Sequence, residues 1–359
     1  MPPEVAAGAP GAPAGEAREG VSGGAAAAPA VETPAPPLVV IGGPTATGKT
    51  GLSLRLADVL AERGIGAEII SADSRQVYRG LDIGTAKVTP AERARIPHHG
   101  LDLVDPDEPF SVADFVRHAR AALAGIAARG RVALLVGGTG LYLRAVARGL
   151  EPDALPHDPE LRARLEAELR STGLATLVER LRRIAPGRAA AVDLANPRRV
   201  VRALEAALLV GDRPPPPFRS YPGRAIFLVL DVEPATHRAW IAARARTQFE
   251  MGLLDEAAAL RARYDPNLPA FSAIGYREAW AVLDGRLSLE AAIELDARRN
   301  VAFARRQRIW FRREPEAVWL DATEDPLARV VALVRPVVEG DRARTGGRGG
   351  ERGDRRAAR

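Results

Sequence analysis

A chain of 359 residues, 47% of them hydrophobic, can hold one large domain or two modest ones around a buried core. It contains no cysteine, which excludes disulfides, thiolate zinc sites and thiol nucleophiles and fits a cytoplasmic location. The net charge of +6 favours polyanionic partners, and the apolar runs are strand-length or broken by arginine, so no membrane partner is expected.

Residues 1–36 are rich in Ala, Pro and Gly without hydrophobic periodicity, and they read as a disordered leader. They lack the basic start and leucine-rich stretch of a secretory signal. Order begins at Leu38-Val39-Val40-Ile41, a strand pattern ending in Gly42-Gly43, with a helix pattern from Lys49 to Arg63. Further strands are expected at Glu68–Ser71, Val132–Val136 and Ala225–Leu230, with a helix from Ser111 to Arg129 between the second and third. Continuously apolar strands alternating with helices predict a parallel sheet covered on both faces. The fold class is therefore α/β, a P-loop NTPase-like sheet whose ligands sit at the carboxyl ends of the strands, where Gly43, Asp73 and Gly137 fall.

The pattern changes between 147 and 215. Leu161–Arg183 and Pro197–Leu209 read as helices, no strand fits, and Pro214–Pro217 stops the chain, so a helical module is inserted into the core of residues 37–146. Residues 216–330 continue the core and end in Arg-rich helices. Residues 339–359 carry seven Arg against four acids and read as a disordered basic tail.

Gly43-Pro44-Thr45-Ala46-Thr47-Gly48-Lys49-Thr50 satisfies the phosphate-loop pattern G-x-x-x-x-G-K-[ST] between a strand and a helix. In such a loop the backbone N–H groups cradle phosphate oxygens, the lysine neutralises charge, and the final hydroxyl, here Thr50, reaches Mg²⁺. Of 51 basic residues only Lys49 and Lys87 are lysine, so a compact ammonium is kept where a planar guanidinium would not serve. With lysine at these two positions alone, an Asn-Lys-x-Asp guanine reader is impossible. Leu230-Asp231 is the strand end that could supply a second metal-binding acid, and it reads as an ordinary strand-ending acid; nucleotide-kinase chemistry stays open at this point. Asp73 follows the second strand and should face the loop's phosphates, with a helix N-cap as the plain alternative.

The loop, the segment Ser71–Lys87, Pro97-His98-His99, Leu135–Tyr142, Ile274–Glu278 and Arg305-Arg306-Gln307 together resemble the tRNA dimethylallyltransferase family, also called tRNA isopentenyltransferases, in order from about 38 to 325. The resemblance implies that the P-loop holds the diphosphate of dimethylallyl diphosphate while the exocyclic N6 of an adenosine beside the anticodon attacks and diphosphate leaves. It implies Mg²⁺ on Thr50, Asp73 as general base, and Thr45 and Arg244 in the catalytic set, with Arg246 as the neighbouring candidate. It implies tRNA contacts from Ser74, Arg75, Gln76, Tyr78, Arg305, Arg306 and Gln307, with Tyr276 and Trp310 also near the RNA. The inserted helical module would clamp the anticodon stem-loop, and a monomer is expected. Aromatic core packing competes for Tyr78, Tyr276 and Trp310, and Lys87 either touches substrate or packs. Ile309 stands where the family often has Thr, and a cysteine-free chain cannot carry the zinc finger of some relatives. His98-His99 lacks a third ligand at metal-binding spacing. Prenylation of a free adenine nucleotide and small-molecule P-loop phosphorylation are the alternative functions.

Overall fold

Six parallel strands run through the computed structural model, which describes residues 35–149, 156–213 and 220–345, without the side chains of 341–345. The strands are β1 (Leu38–Gly42), β2 (Ala67–Ser71), β3 (His98–His99), β4 (Val132–Val136), β5 (Ala225–Asp231) and β6 (Val318–Asp321). Their order is β3-β2-β4-β1-β5-β6, so β1 lies inside the sheet between β4 and β5. Its side chains alternate between faces, as a strand requires. Leu38 and Val40 enter one core layer and Val39 and Ile41 the other, all four fully buried. Burial at about 1.5–3 kcal/mol per large apolar side chain explains why a five-residue strand holds the centre.

Helix α1 (Lys49–Glu62) packs on one face with Leu52, Leu56 and Leu60. Helix α2 (Pro90–Arg95) precedes β3 and starts in a Thr89–Glu92 capping box. On the other face lie α3 (Val112–Ala128), with a second capping box at Ser111 and Asp114, and α4 (Gly140–Ala147), whose Tyr142 stacks on Phe115 at 4.1 Å.

Helices α5 (Pro159–Thr172), α6 (Leu174–Ile184), α7 (Pro186–Ala191) and α8 (Pro197–Val210) bury a cluster of their own around Leu165, Leu177, Leu181, Val200 and Leu204. Glu205 is enclosed there and neutralised by Arg162 and Arg202, as a buried carboxylate must be. The proline run expected to stop this module, Pro214–Pro217, lies outside the described residues.

The chain then forms α9 (Pro234–Glu250), α10 (Leu253–Arg263), a 3₁₀ turn at Pro269–Ser272, α11 (Tyr276–Leu283), α12 (Leu289–Phe311) and α13 (Leu327–Thr345). Four of the six strands match the sequence expectation to within a residue or two. The short edge strands β3 and β6 were not anticipated, because two and four residues carry too little alternation to register. Helix α13 is a second difference. It continues past residue 330, seats Val330, Val334 and Val338 in the core layer it shares with α1 and β5, and runs through the start of the segment read as a tail at 339. Residues 346–359, and the leader up to residue 34, lie outside the described residues.

Candidate active site at the P-loop

β1 delivers the chain into Gly43, where a Cβ would stand 2.4 Å from the Leu230 carbonyl oxygen and φ is 143°, so only glycine fits. Loop 43–50 then turns into α1 with Ala46 and Gly48 left-handed, at φ 60° and 79°. Within the loop, Thr47 Oγ1 and Lys49 Nζ both donate to the Pro44 carbonyl, at 2.9 and 2.5 Å.

Side chains from α9 and α12 hold Thr45 at all three of its polar atoms. Its N–H donates to Gln307 Oε1 at 2.8 Å, its hydroxyl accepts from Arg244 Nη1 at 2.7 Å, and its carbonyl lies 2.7 Å from His237 Nε2. The other end of the Gln307 amide donates to the Gly138 carbonyl at 2.9 Å. A Cβ on Gly138 would come within 2.3 Å of that nitrogen, so the glycine makes room for the amide. Because the Thr45 hydroxyl accepts from Arg244, its own proton is available to an anionic ligand.

Across from the loop, Asp73 follows β2 and accepts the Arg75 N–H at 2.8 Å in a turn, not at a helix start. Thr45, Lys49, Thr50, Asp73, Gln76 and Arg244 line one cavity of about 120 Å³. A second cavity, about 360 Å³, shares Thr45, Asp73 and Arg244 and is bordered by Ser74, Arg75, Arg299, Asn300, Phe303 and Arg306. Arg75 and Arg306 there suit a polyanion, whereas Arg299 is paired with the buried Glu278.

Burial and the Arg244 guanidinium push the Lys49 ammonium down to about 7, against the opposing pull of Asp73. Burial likewise lowers Arg244. The site without ligand is thus short of negative charge, as a phosphate-binding pocket should be. Behind Arg244, burial raises Asp296 to about 6 although Asn300 donates to it at 2.7 Å.

The IPP transferase family model matches residues 76–314, two thirds of the chain. The chain belongs to the IPP transferase family. A tRNA dimethylallyltransferase of Anaeromyxobacter sp. (strain K) is 48% identical over 308 residues, covering 84% of this chain and 97% of the relative. Among solved structures, a full-length tRNA isopentenylpyrophosphate transferase from Bacillus halodurans is 38% identical with a TM-score of 0.62, covering 86% of this chain and 99% of that one. A eukaryotic dimethylallyltransferase captured acting on tRNA is 25% identical with a TM-score of 0.71, covering 84% and 79%. Membership makes this chain a transferase, and the parallel sheet agrees with the fold of those relatives.

Several residues expected at the RNA have their side chains engaged within the fold. Tyr78 is 6% exposed and packs in the core beside Phe115 and Tyr142, so its ring is spent on the fold. Gln307, also 6% exposed, has both ends of its amide engaged with Thr45 and Gly138, which makes it a loop support. Gln76 accepts from Ser71 Oγ and donates to the Thr85 and Ala86 carbonyls, bracing one cavity wall. Arg305 and Arg306 diverge by one helical step: Arg306 borders the second cavity, while Arg305 lies by a separate surface groove with Arg238 and Arg312. Tyr276 is fully buried with its hydroxyl on Glu256, whereas Trp310 is half-covered under the Arg144 guanidinium.

The two open questions about cations have clear geometric answers. Arg244 reaches the loop, and Arg246 pairs with Glu290 on the surface. Lys87 is buried to 1% and donates to the Tyr78 carbonyl, Asp82 and Asp102 at 2.6 to 2.7 Å. It fastens the segment after Asp73, using all three donors of an ammonium. Of the histidine pair, His99 meets Glu68, while His98 Nδ1 faces the Ile96 carbonyl and its Nε2 is buried without a partner beside the first cavity. Sequence reasoning overlooked His237, an isolated histidine with no motif around it.

Proposed function

We propose that this chain transfers a dimethylallyl group from dimethylallyl diphosphate to the exocyclic N6 of an adenosine beside the anticodon of tRNA, releasing diphosphate. The observation that carries the reading is the convergence of Lys49, Arg244 and the Thr45 hydroxyl on one side of a cavity and Asp73 on the other.

In this reading the loop amides, Lys49 and Arg244 bind the diphosphate and take up the charge that grows as the allylic C–O bond breaks. Asp73 receives the proton that N6 gives up as the new C–N bond forms, which a weakly basic aromatic amine needs. The second cavity admits the adenosine, turned out of its stack, with Ser74, Arg75 and Arg306 on its nucleotide neighbours. Helices α5–α8 hold the anticodon stem-loop.

Among the described residues no group of three or more His, Cys, Asp or Glu could hold a metal alone. The Thr50 hydroxyl, on an exposed residue at the end of the loop, suits a Mg²⁺ completed by water and substrate oxygens. When bound there, Mg²⁺ would neutralise diphosphate charge. No helix among the described residues is long and apolar enough to cross a membrane, and we place the enzyme in the cytoplasm as a monomer.

The test is incubation with labelled dimethylallyl diphosphate, Mg²⁺ and unmodified tRNA. Label on an adenosine next to the anticodon supports the proposal. Label on free AMP alone points to nucleotide prenylation, and ATP turnover without any transfer refutes both.

A further inference from the structure

We propose that His237 is a positioning residue for the phosphate loop, the last link of a relay Asp231–Arg308–His237–Thr45 that fixes the loop to the end of β5. The inference rests on that loop being the diphosphate site.

His237 stands in the first turn of α9 and is 3% exposed. A carbonyl only accepts, so the 2.7 Å contact to Thr45 O requires that Nε2 carry the proton. On the other side Arg308 Nη2, which only donates, lies 3.2 Å from Nδ1. Both neighbours therefore demand the same neutral tautomer. Arg308 is itself anchored. Its Nε is 2.8 and 3.0 Å from the two Asp231 carboxylate oxygens, and its Nη2 is 2.7 Å from one of them and 3.0 Å from the Val232 carbonyl. Asp231 closes β5, which pairs with β1 up to Gly42, one residue before the loop. The acid that reads as an ordinary strand end is thus tied to the loop apex through two side chains.

The loop needs such support. Thr45 is followed by Ala46 at φ 60°, a left-handed conformation that a side chain resists, and such strain persists only when the surroundings enforce it. A peptide unit is planar, with C=O and N–H opposed. Pinning the Thr45 carbonyl therefore fixes the direction of the Ala46 N–H, the next donor along the cradle after Thr45's own is taken by Gln307. Released from His237, this peptide can turn over and present its carbonyl to an anion.

Calorimetric titration with inorganic diphosphate and Mg²⁺ tests this without requiring turnover, and titration with an anticodon stem-loop RNA is the control. His237→Ala should weaken diphosphate binding about tenfold, the scale of one buried hydrogen bond left unmade, with RNA affinity unchanged. His237→Gln, whose amide nitrogen falls where Nε2 was, should regain most of that loss. His237→Asn, which ends where Nδ1 was, should not. Arg308→Met should weaken diphosphate binding as well, and in the His237→Ala background it should add less than about twofold, since both act through one contact. Wild-type diphosphate affinity in His237→Ala, equal affinities for the Gln and Asn variants, or losses that multiply in the double variant would overturn the inference. Should the Ala variant fail to fold, the Gln–Asn contrast decides alone. A wild-type chain that binds diphosphate but prenylates no RNA would sink the proposed function and leave the relay standing.

Discussion

Raising the pH from 7 to 9 should weaken dimethylallyl diphosphate binding about fifty-fold, because one ammonium in the empty pocket loses its proton in that range. Burial and Arg244 set the Lys49 ammonium at about 7, whereas the bound diphosphate would hold it charged. The protonated fraction falls from about one half at pH 7 to about one hundredth at pH 9, and the ratio gives the factor. Equilibrium dialysis of the labelled substrate across this range measures it directly. The ligand-free fold should show the opposite trend. Between 7 and the lysine's ordinary value of 10.5 the unfolded chain binds more protons at this position than the folded one, so stability rises with pH through that window. The lysine can also be read independently by its acylation rate, since Lys87, the other lysine, is buried in two ion pairs. Affinity that stays constant up to pH 9, or an acylation midpoint near 10, would refute the reasoning.

Three further outcomes are expected. Asp73→Asn keeps an acceptor for the Arg75 N–H, so the turn should survive while single-turnover transfer falls about 10²–10⁴-fold and dimethylallyl diphosphate still binds. Asp296→Asn should raise the melting temperature at pH 7 but not at pH 4. With its carboxyl lifted from 3.8 to about 6, the native state holds that proton more tightly, so its contribution falls as pH rises from about 4 to 6. The gain at neutral pH has an upper bound of about 3 kcal/mol, read by calorimetry at the two pH values. Lys87→Arg should destabilise the chain by about 3 kcal/mol in denaturant titration, because a planar guanidinium cannot point three donors at the Tyr78 carbonyl, Asp82 and Asp102 in the same space.

What could be read from the sequence was whatever is local. The phosphate loop announces itself because glycines, lysine and hydroxyl sit on consecutive positions between a strand and a helix, and Asp73 follows from the end of the next strand. The sheet's buried strands show as apolar runs, but β3 and β6 pair along an edge for only two to four residues. Which way a polar side chain faces was not legible. Gln307 and Arg306 are neighbours on α12, yet Gln307 is buried against the loop and Arg306 is exposed beside the second cavity, since successive helical residues turn by about 100°. The resemblance puts Tyr78 at the RNA with core packing as the alternative, and only the fold shows its ring in the core with Phe115 and Tyr142. Least visible was the hold on Thr45, made by residues 192 to 262 positions away.

That separation has a consequence for biosynthesis. The loop leaves the ribosome near the start of translation, while His237, Arg244 and Gln307 follow 192 to 262 residues later, at about 5–20 residues per second. For ten seconds or more the nascent chain displays an intact phosphate-loop motif that does not yet have its working shape. The hold on Thr45 is therefore complete only once α12, which brings Gln307, has docked. A partial product of translation or proteolysis that ends before this helix would carry the motif without Gln307 and Arg308, two of the side chains that hold the loop in shape.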